Sequence, residues 1–375
     1  MKVVVAIDSF KGSLSSIEAG QAAKNGILKA CRAEVVVKPL ADGGEGTTEA
    51  LVEGLGGRYV DVEVAGPMGL PTKAKYGIME DGRTGVMEMA EAAGMILVRR
   101  EDLNPWRAST VGVGEMIRDA IKRGCREFII GIGGSATTEG GIGMLQALGY
   151  TFYDADGNVL PPILESLGRI EKISNENVMA ELQECHFQIA CDVTNPLCGE
   201  NGAVYIYGPQ KGVRPEEKKI MDDAMLHYAG KTAEFFEEDN SKAPGAGAAG
   251  GLGFAFLSYL PSVELKSGIT IVLEAIELEK ELKDADIVVT GEGRLDVQTA
   301  MGKVPVGVAH LAKKHNCKVI AFAGGVTDDA GKCNEEGIDA FFPIVRGITT
   351  LEEAMDKETA KKNMALCAEQ VFRLL

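Results

Sequence analysis

Five short stretches of this chain, four of them containing glycine, gather acids, hydroxyls or a cation in ways that suit a charged small molecule. The first, Asp8-Ser9-Phe10-Lys11-Gly12-Ser13-Leu14-Ser15, joins an apolar run to a helical pattern. Backbone N–H groups and the helix dipole at such a junction favour an anion, and Lys11 adds a mobile positive charge. Ser13 or Ser15 would equally serve as the helix cap. The second, Ala41-Asp42-Gly43-Gly44-Glu45-Gly46-Thr47, sets two acids among three glycines at another helix start. Asp42 and Glu45 there suit Mg²⁺ or a substrate hydroxyl, and a turn capped by Thr47 is the plainer alternative.

The third stretch is the densest. Residues 131–143 hold six glycines, three hydroxyls (Ser135, Thr137, Thr138) and one acid, directly after the apolar Phe128–Ile130. A phosphate cradle of backbone N–H groups explains that density better than a turn does. In the fourth, Asp192 ends an apolar run and Asn195-Pro196 forces a turn, so the pair suits a metal, substrate hydroxyls or an Asx-turn. Gly245–Gly253 follows, shaped for close backbone approach. In the fifth, Thr290-Gly291-Glu292-Gly293-Arg294-Leu295-Asp296, two acids flank an arginine that can hold a carboxylate or phosphate bidentately. Lys303 lies just beyond.

Covalent chemistry finds no support. The four histidines, at 186, 227, 310 and 315, show neither metal-ligand nor triad spacing, and no Gly-x-Ser-x-Gly elbow is present. Cys191 has no assignable partner histidine. The Walker pattern is absent, and the Gly-x-Gly-x-x-Gly-like spacing near 131 lacks the acid expected at the end of the next strand. Phosphate cradles, cations and carboxylates without a nucleophile fit phosphoryl transfer, which positioning and charge stabilisation catalyse.

These stretches must be positioned by strands and helices. Lys2–Asp8, Ser15–Ala30 and Glu34–Val37 read as strand, helix and strand, and Thr47–Leu55 as a further helix. Strands apolar on both faces require a parallel sheet covered by helices. The C-terminal part repeats the pattern: strands at Ala285–Thr290, Lys318–Ala323 and Ala340–Ile344, and helices at Val304–His315, Asp329–Glu335 and Leu351–Leu374. Between them lie successive strands at Tyr59–Val64, Thr72–Met79 and Thr84–Met89, a turn at Asp81-Gly82, and a hairpin from Tyr150 around Asp156-Gly157. The expected fold is therefore α/β with two α/β domains. One is a doubly wound parallel sheet of Rossmann or flavodoxin type built from both termini (1–65 plus 285–375), the other a mixed α/β domain inserted in it (66–284). The strands near 128 and 189 fit either sheet.

Composition narrows the function classes. The chain has 375 residues, 45% hydrophobic and 25% charged, so disorder does not describe it. With 39 Lys+Arg against 55 Asp+Glu, the net charge of −16 disfavours nucleic acid or an anionic membrane as partner. Glycine, 47 residues, is well in excess of the usual share of about 7%. The eight cysteines include no Cys-x-x-Cys pair, no run is long and apolar enough to span a bilayer, and the N-terminus reads as a strand rather than a signal peptide. A cytoplasmic protein is expected.

The stretches DSFKGSLS (8–15), ADGGEGT (41–47), GIGGSATTEGG (131–141), CDVTNPL (191–197), GAGAAGGLG (245–253) and GEGRLD (291–296) resemble, in order along the whole chain, the bacterial class I glycerate kinase family. One departure is Thr138-Glu139, where the family more often has Asn-Asp. The resemblance implies ATP-dependent phosphorylation of D-glycerate with Mg²⁺, 2-phosphoglycerate being favoured over the 3-phosphate, in a cleft between two domains. Carried onto this sequence, it implies that Lys11 and Arg294 bind phosphate or the glycerate carboxylate. Gly133, Gly134, Ser135 and Thr137, with Ser13, hold ATP phosphates; Asp192 or Asp42 accepts the hydroxyl proton. Asp8, Ser9, Glu45 and Asn195 contact substrate, and Glu292 or Asp296 holds Mg²⁺. The partners implied are glycerate and ATP, with a homodimer left open. The rivals are a non-catalytic nucleotide- or sugar-acid-binding protein and a nicotinamide-dependent oxidoreductase.

Overall fold

A computed structural model describes residues 1–375 and divides them into two compact units. The first comprises Met1–Asp42, Glu49–Gly56 and Ile269–Leu375, and the second comprises Gly43–Thr48 and Gly57–Gly268. Thirteen strands are numbered along the chain.

The first unit is built on a five-stranded sheet. Its strands are β1 (Lys2–Ile7), β2 (Glu34–Pro39), β11 (Ile287–Leu295), β12 (Lys318–Val326) and β13 (Ala340–Pro343), in the order β13-β12-β11-β1-β2. Every pairing is parallel. Val3, Val4 and Val5 on β1 are wholly buried, as a strand covered on both faces requires. The chain winds from β1 to β2 on one side and returns to β11, β12 and β13 on the other. The order therefore reverses between β1 and β11, the switch point where such sheets bind ligands.

Two expectations are corrected here. The GEGRLD stretch is not a loop after a strand: β11 continues through Arg294, whose register partner on β12 is Gly325. Gly291 allows this, since a Cβ there would lie 2.0 Å from the Phe322 carbonyl oxygen. The closing helix is also two helices, Leu351–Met355 and Lys357–Phe372, because Asp356 turns out of helical geometry and its carboxylate caps the second through the Thr359 N–H at 2.9 Å.

The second unit carries a six-stranded sheet. Its strands are β3 (Gly57–Ala65), β4 (Pro71–Met79), β5 (Thr84–Glu88), β6 (Glu127–Gly131), β9 (His186–Ala190) and β10 (Val263–Lys266), in the order β10-β9-β6-β5-β4-β3. The four from β10 to β5 are parallel and the β5-β4-β3 edge is antiparallel, so the sheet is mixed. The strands near 128 and 189 thus belong to this second sheet, where Phe128 and Phe187 stack with ring centroids 4.9 Å apart. The expected Tyr150 hairpin closes differently. β7 (Thr151–Tyr153) pairs with the distant β8 (Lys172–Ser174), and the Asp156-Gly157 turn contributes only a bridge from Tyr153 to Val159. No helix is long and apolar enough to cross a membrane.

Candidate active site

In the first unit the carboxyl ends of β1, β11 and β12 open into a cavity of about 760 Å³. Eight residues singled out by sequence line it: Asp8, Ser9, Lys11, Ser13 and Asp42 from the N-terminal segments, and Glu292, Arg294 and Asp296 from β11 and its end. Asp8 closes β1 and is only 6% exposed. Burial, the Asp42 carboxylate and, more weakly, Glu292 push it up to about 7, against the Ser9 N–H bond (2.7 Å) and Lys11.

The turn after β1 resolves which serine caps the helix. Ser15 forms a capping box with Glu18 at the start of Ser16–Ala30. Ser13 is left over: its hydroxyl is buried at the cavity with no hydrogen-bond partner. Lys11 Nζ lies 3.7 Å from an Asp42 oxygen, with both side chains open to solvent.

The two acids offered as metal ligands differ. Asp296 is engaged as a cap: Oδ1 accepts from the Gln298 and Thr299 N–H groups at 2.9 and 3.3 Å, and Oδ2 faces Arg294 Nε at 3.8 Å. Glu292 accepts from the Thr299 hydroxyl through Oε1, and burial raises its carboxyl above the usual range. No group of three or more His, Cys, Asp or Glu side chains is arranged to hold a metal by itself. Mg²⁺ does not demand one, since it binds through one or two carboxylates plus substrate phosphates and water. The Asp42 carboxylate lies close enough to raise the proton affinity of both Asp8 and Glu292, and the oxygen donors of the three suit such a cation.

The second unit holds the remaining candidates. Gly133 and Gly134 are exposed after β6, but the loop then plunges inward, and Thr137 is wholly buried with an unpartnered hydroxyl. Ser135 Oγ and the Thr137 carbonyl oxygen accept from Lys211 Nζ at 2.7 and 2.6 Å. Burial pushes Lys211 down to about 7, with Glu139 opposing at longer range. Glu139 is wholly buried and takes a structural part. Its carboxylate accepts the Thr110 N–H at 2.8 Å, the Thr110 hydroxyl, and the Gly143 and Gly141 N–H groups at 3.2 Å each. It thereby ties together the starts of helices Val111–Lys122 and Ile142–Ala147.

Gly245–Gly253 packs on the same loop. Gly250, at φ +71°, brings backbone so close that a Cβ would sit 2.1 Å from the Thr137 carbonyl oxygen, and its own carbonyl accepts the Gly140 N–H at 3.0 Å. Asp192 is exposed past β9 and accepts the Gly268 N–H at 3.0 Å. Asn195 is occupied within the protein: its amide donates to Asn201 O at 2.9 Å and accepts from the Tyr207 hydroxyl at 2.5 Å. Glu45 is exposed at the helix start that Glu88 caps through the Gly46 and Thr48 N–H groups at 3.3 and 3.0 Å.

Sequence reasoning missed Lys211, Glu88 and the wall of the first cavity formed by residues 344–363. Lys211 lies in Pro-Gln-Lys-Gly, where nothing local signals burial. Glu88 carries a faint signal, as an acid ending the apolar Val86-Met87.

Comparison with known proteins gives one consistent result. A family model described as the glycerate kinase family matches residues 3–375. A glycerate 2-kinase of Escherichia coli K12 is 45% identical over 94% of this chain and 93% of its own length. A glycerate kinase of Haemophilus influenzae is 44% identical over 100% and 99%. A crystal structure described as glycerate kinase 2 from Salmonella typhimurium LT2 superposes with a TM-score of 0.92 at 43% identity, covering 100% of this chain and 98% of that one.

Proposed function

The chain belongs to the glycerate kinase family, and from that premise we propose that it transfers the γ-phosphoryl group of ATP to the 2-hydroxyl of D-glycerate, with Mg²⁺ accompanying the nucleotide. That it is a phosphotransferase acting on an alcohol follows from the family. The choice of the 2-hydroxyl draws its support from the relative named a glycerate 2-kinase.

The observation that carries the reading is the gathering of Lys11, Arg294, Asp8, Asp42 and Glu292 at the strand ends of the first unit. Phosphoryl transfer needs cations to hold spread negative charge and a carboxylate to accept the hydroxyl proton. Lys11 and Arg294 bind phosphate or the glycerate carboxylate, and Ser13 offers its unpartnered hydroxyl to the same anion. Asp42 or, in the second unit, Asp192 takes the hydroxyl proton. Asp8 and Ser9 orient the acceptor, with Glu45 assigned to the same task. Of the glycine-rich loop, the exposed Gly133 and Gly134 supply phosphate contacts, while Ser135 and Thr137 are buried behind them and held by Lys211. Of the two acids offered for Mg²⁺, Glu292 is favoured because the Asp296 oxygens already cap a helix and face Arg294. The ion, when bound, neutralises charge on the phosphates.

Dependence on ATP argues for a cytoplasmic enzyme, and a second copy of the chain is the one macromolecular partner admitted, checked by its mass in solution. The deciding assay measures ADP release from Mg·ATP with and without D-glycerate, with enolase added and phosphoglycerate mutase omitted. Glycerate-dependent ADP with an enolase signal is the expected result. ADP without that signal would assign another product, and no glycerate-dependent ADP would overturn the kinase reading in favour of a binding protein.

A further inference from the structure

The cavity of the first unit is larger than the acceptor requires. A three-carbon acid fills a small part of about 760 Å³, a size within the range of about 300–1,000 Å³ that encloses drug-sized ligands. Its walls also differ in chemistry. The strand ends and the helix starting at Val304 contribute three cations, Lys11, Arg294 and Lys303. The wall from residues 344–363 contributes no charged side chain: Val345, Leu351 and Met355 present apolar surface over the buried Ile344, Thr349 and Thr350 have their hydroxyls engaged with Glu353, and Asn363 adds one amide.

That wall is a built surface. The helix Leu351–Met355 is fixed by a capping box between Thr350 and Glu353, yet Leu351 and Met355 on it remain 76% and 37% exposed. Apolar side chains held open at a cavity on a capped element are suited to a flat apolar group. An amide beside them offers both a donor and an acceptor to the edge of that group. A ligand with several negative charges at one end and a flat, hydrogen-bonding ring at the other is a nucleotide. The cavity moreover lies at the β1–β11 switch point, where doubly wound sheets receive such ligands.

We propose that the first unit is the nucleotide-binding unit, with Val345, Leu351 and Met355 receiving the purine ring of ATP, Asn363 reading its edge, and the phosphates directed to Lys11, Arg294 and Lys303. The inference deepens the kinase reading and rests on ATP being the donor. Ser13, buried without a partner beside Lys11, accounts for one further phosphate contact.

Calorimetric titration of the full-length chain with two probes, Mg·ADP and inorganic pyrophosphate, tests it without turnover. In Met355→Glu and Asn363→Leu the ADP Kd should rise about tenfold or more while the pyrophosphate Kd changes less than about twofold. Leu351→Glu, at an exposed position where folding is not at stake, should weaken ADP in the same selective way. Unchanged ADP affinity in all three variants would overturn the assignment. So would a parallel loss of ADP and pyrophosphate, because the ring would then not be what these residues touch. A wild-type chain that binds ADP but makes none from ATP and glycerate would sink the kinase reading and leave this assignment standing.

Discussion

Lys211 Nζ donates to Ser135 Oγ at 2.7 Å, so a wholly buried lysine holds the glycine-rich loop of the second unit without a carboxylate in contact. Burial places its folded value at about 7, below the ordinary 10.5. Between those two values the unfolded chain binds more protons than the folded one, so stability rises with pH through that window. Lys211→Met removes this titration. Urea unfolding between about pH 6 and 9 should show a rise in the wild type, relative to the variant, of about 2–3 kcal/mol. Parallel profiles would mean that Lys211 keeps one protonation state throughout.

Asp8 shows the opposite sign. Its folded value of about 7 stands above the ordinary 3.8, so the folded chain holds the extra proton and stability falls as pH rises between them. Asp8→Asn keeps an acceptor for the Ser9 N–H and removes the charge. In Mg²⁺-free buffer the variant should be more stable than wild type by about 2–4 kcal/mol near pH 8 and no more stable near pH 4. Thermal unfolding at the two pH values is the check. An Asp8 variant destabilised at pH 8 would refute the electrostatic account.

Glu139, wholly buried, accepts four hydrogen bonds. Glu139→Gln turns one acceptor into a donor facing backbone N–H groups or the Thr110 hydroxyl, a mismatch costing about 1–3 kcal/mol. Denaturant unfolding should report that loss. Unaltered stability would show that the two helix starts do not depend on the carboxylate.

Glu292 and Asp296 separate by their responses. Glu292→Gln should raise the free Mg²⁺ needed for half-maximal turnover about tenfold or more. Asp296→Ala should lose about 1 kcal/mol of stability with its cap and leave that requirement near wild type. A reversed pattern would move the ion to Asp296.

For the proton acceptor, Asp192→Asn should lower kcat by at least about 100-fold if that carboxylate is the base. Wild-type-like turnover would assign the role to Asp42, whose Asn variant then carries the loss.

Much of this protein is determined by its sequence alone. A strand such as Lys2–Ile7, apolar on both faces, can only lie inside a helix-covered parallel sheet, and Ser15 three residues before Glu18 specifies its own helix start. The glycine- and acid-rich stretches announce phosphate chemistry because backbone access and charge are properties of the residues themselves. Tertiary structure decided the rest, since it depends on partners far away in the chain. GEGRLD is strand because β12 extends beside it, and Ser13 rather than Ser15 is left for a ligand because the capping box uses Ser15. Asp8 is pushed up to about 7 by burial first, then by Asp42 and, more weakly, by Glu292, some 280 residues distant. Lys211 is recognisable only once folding removes it from water and sets it against Ser135, 76 residues earlier. Burial and long-range electrostatics are sums over the assembled neighbourhood, and no local pattern in the chain encodes them.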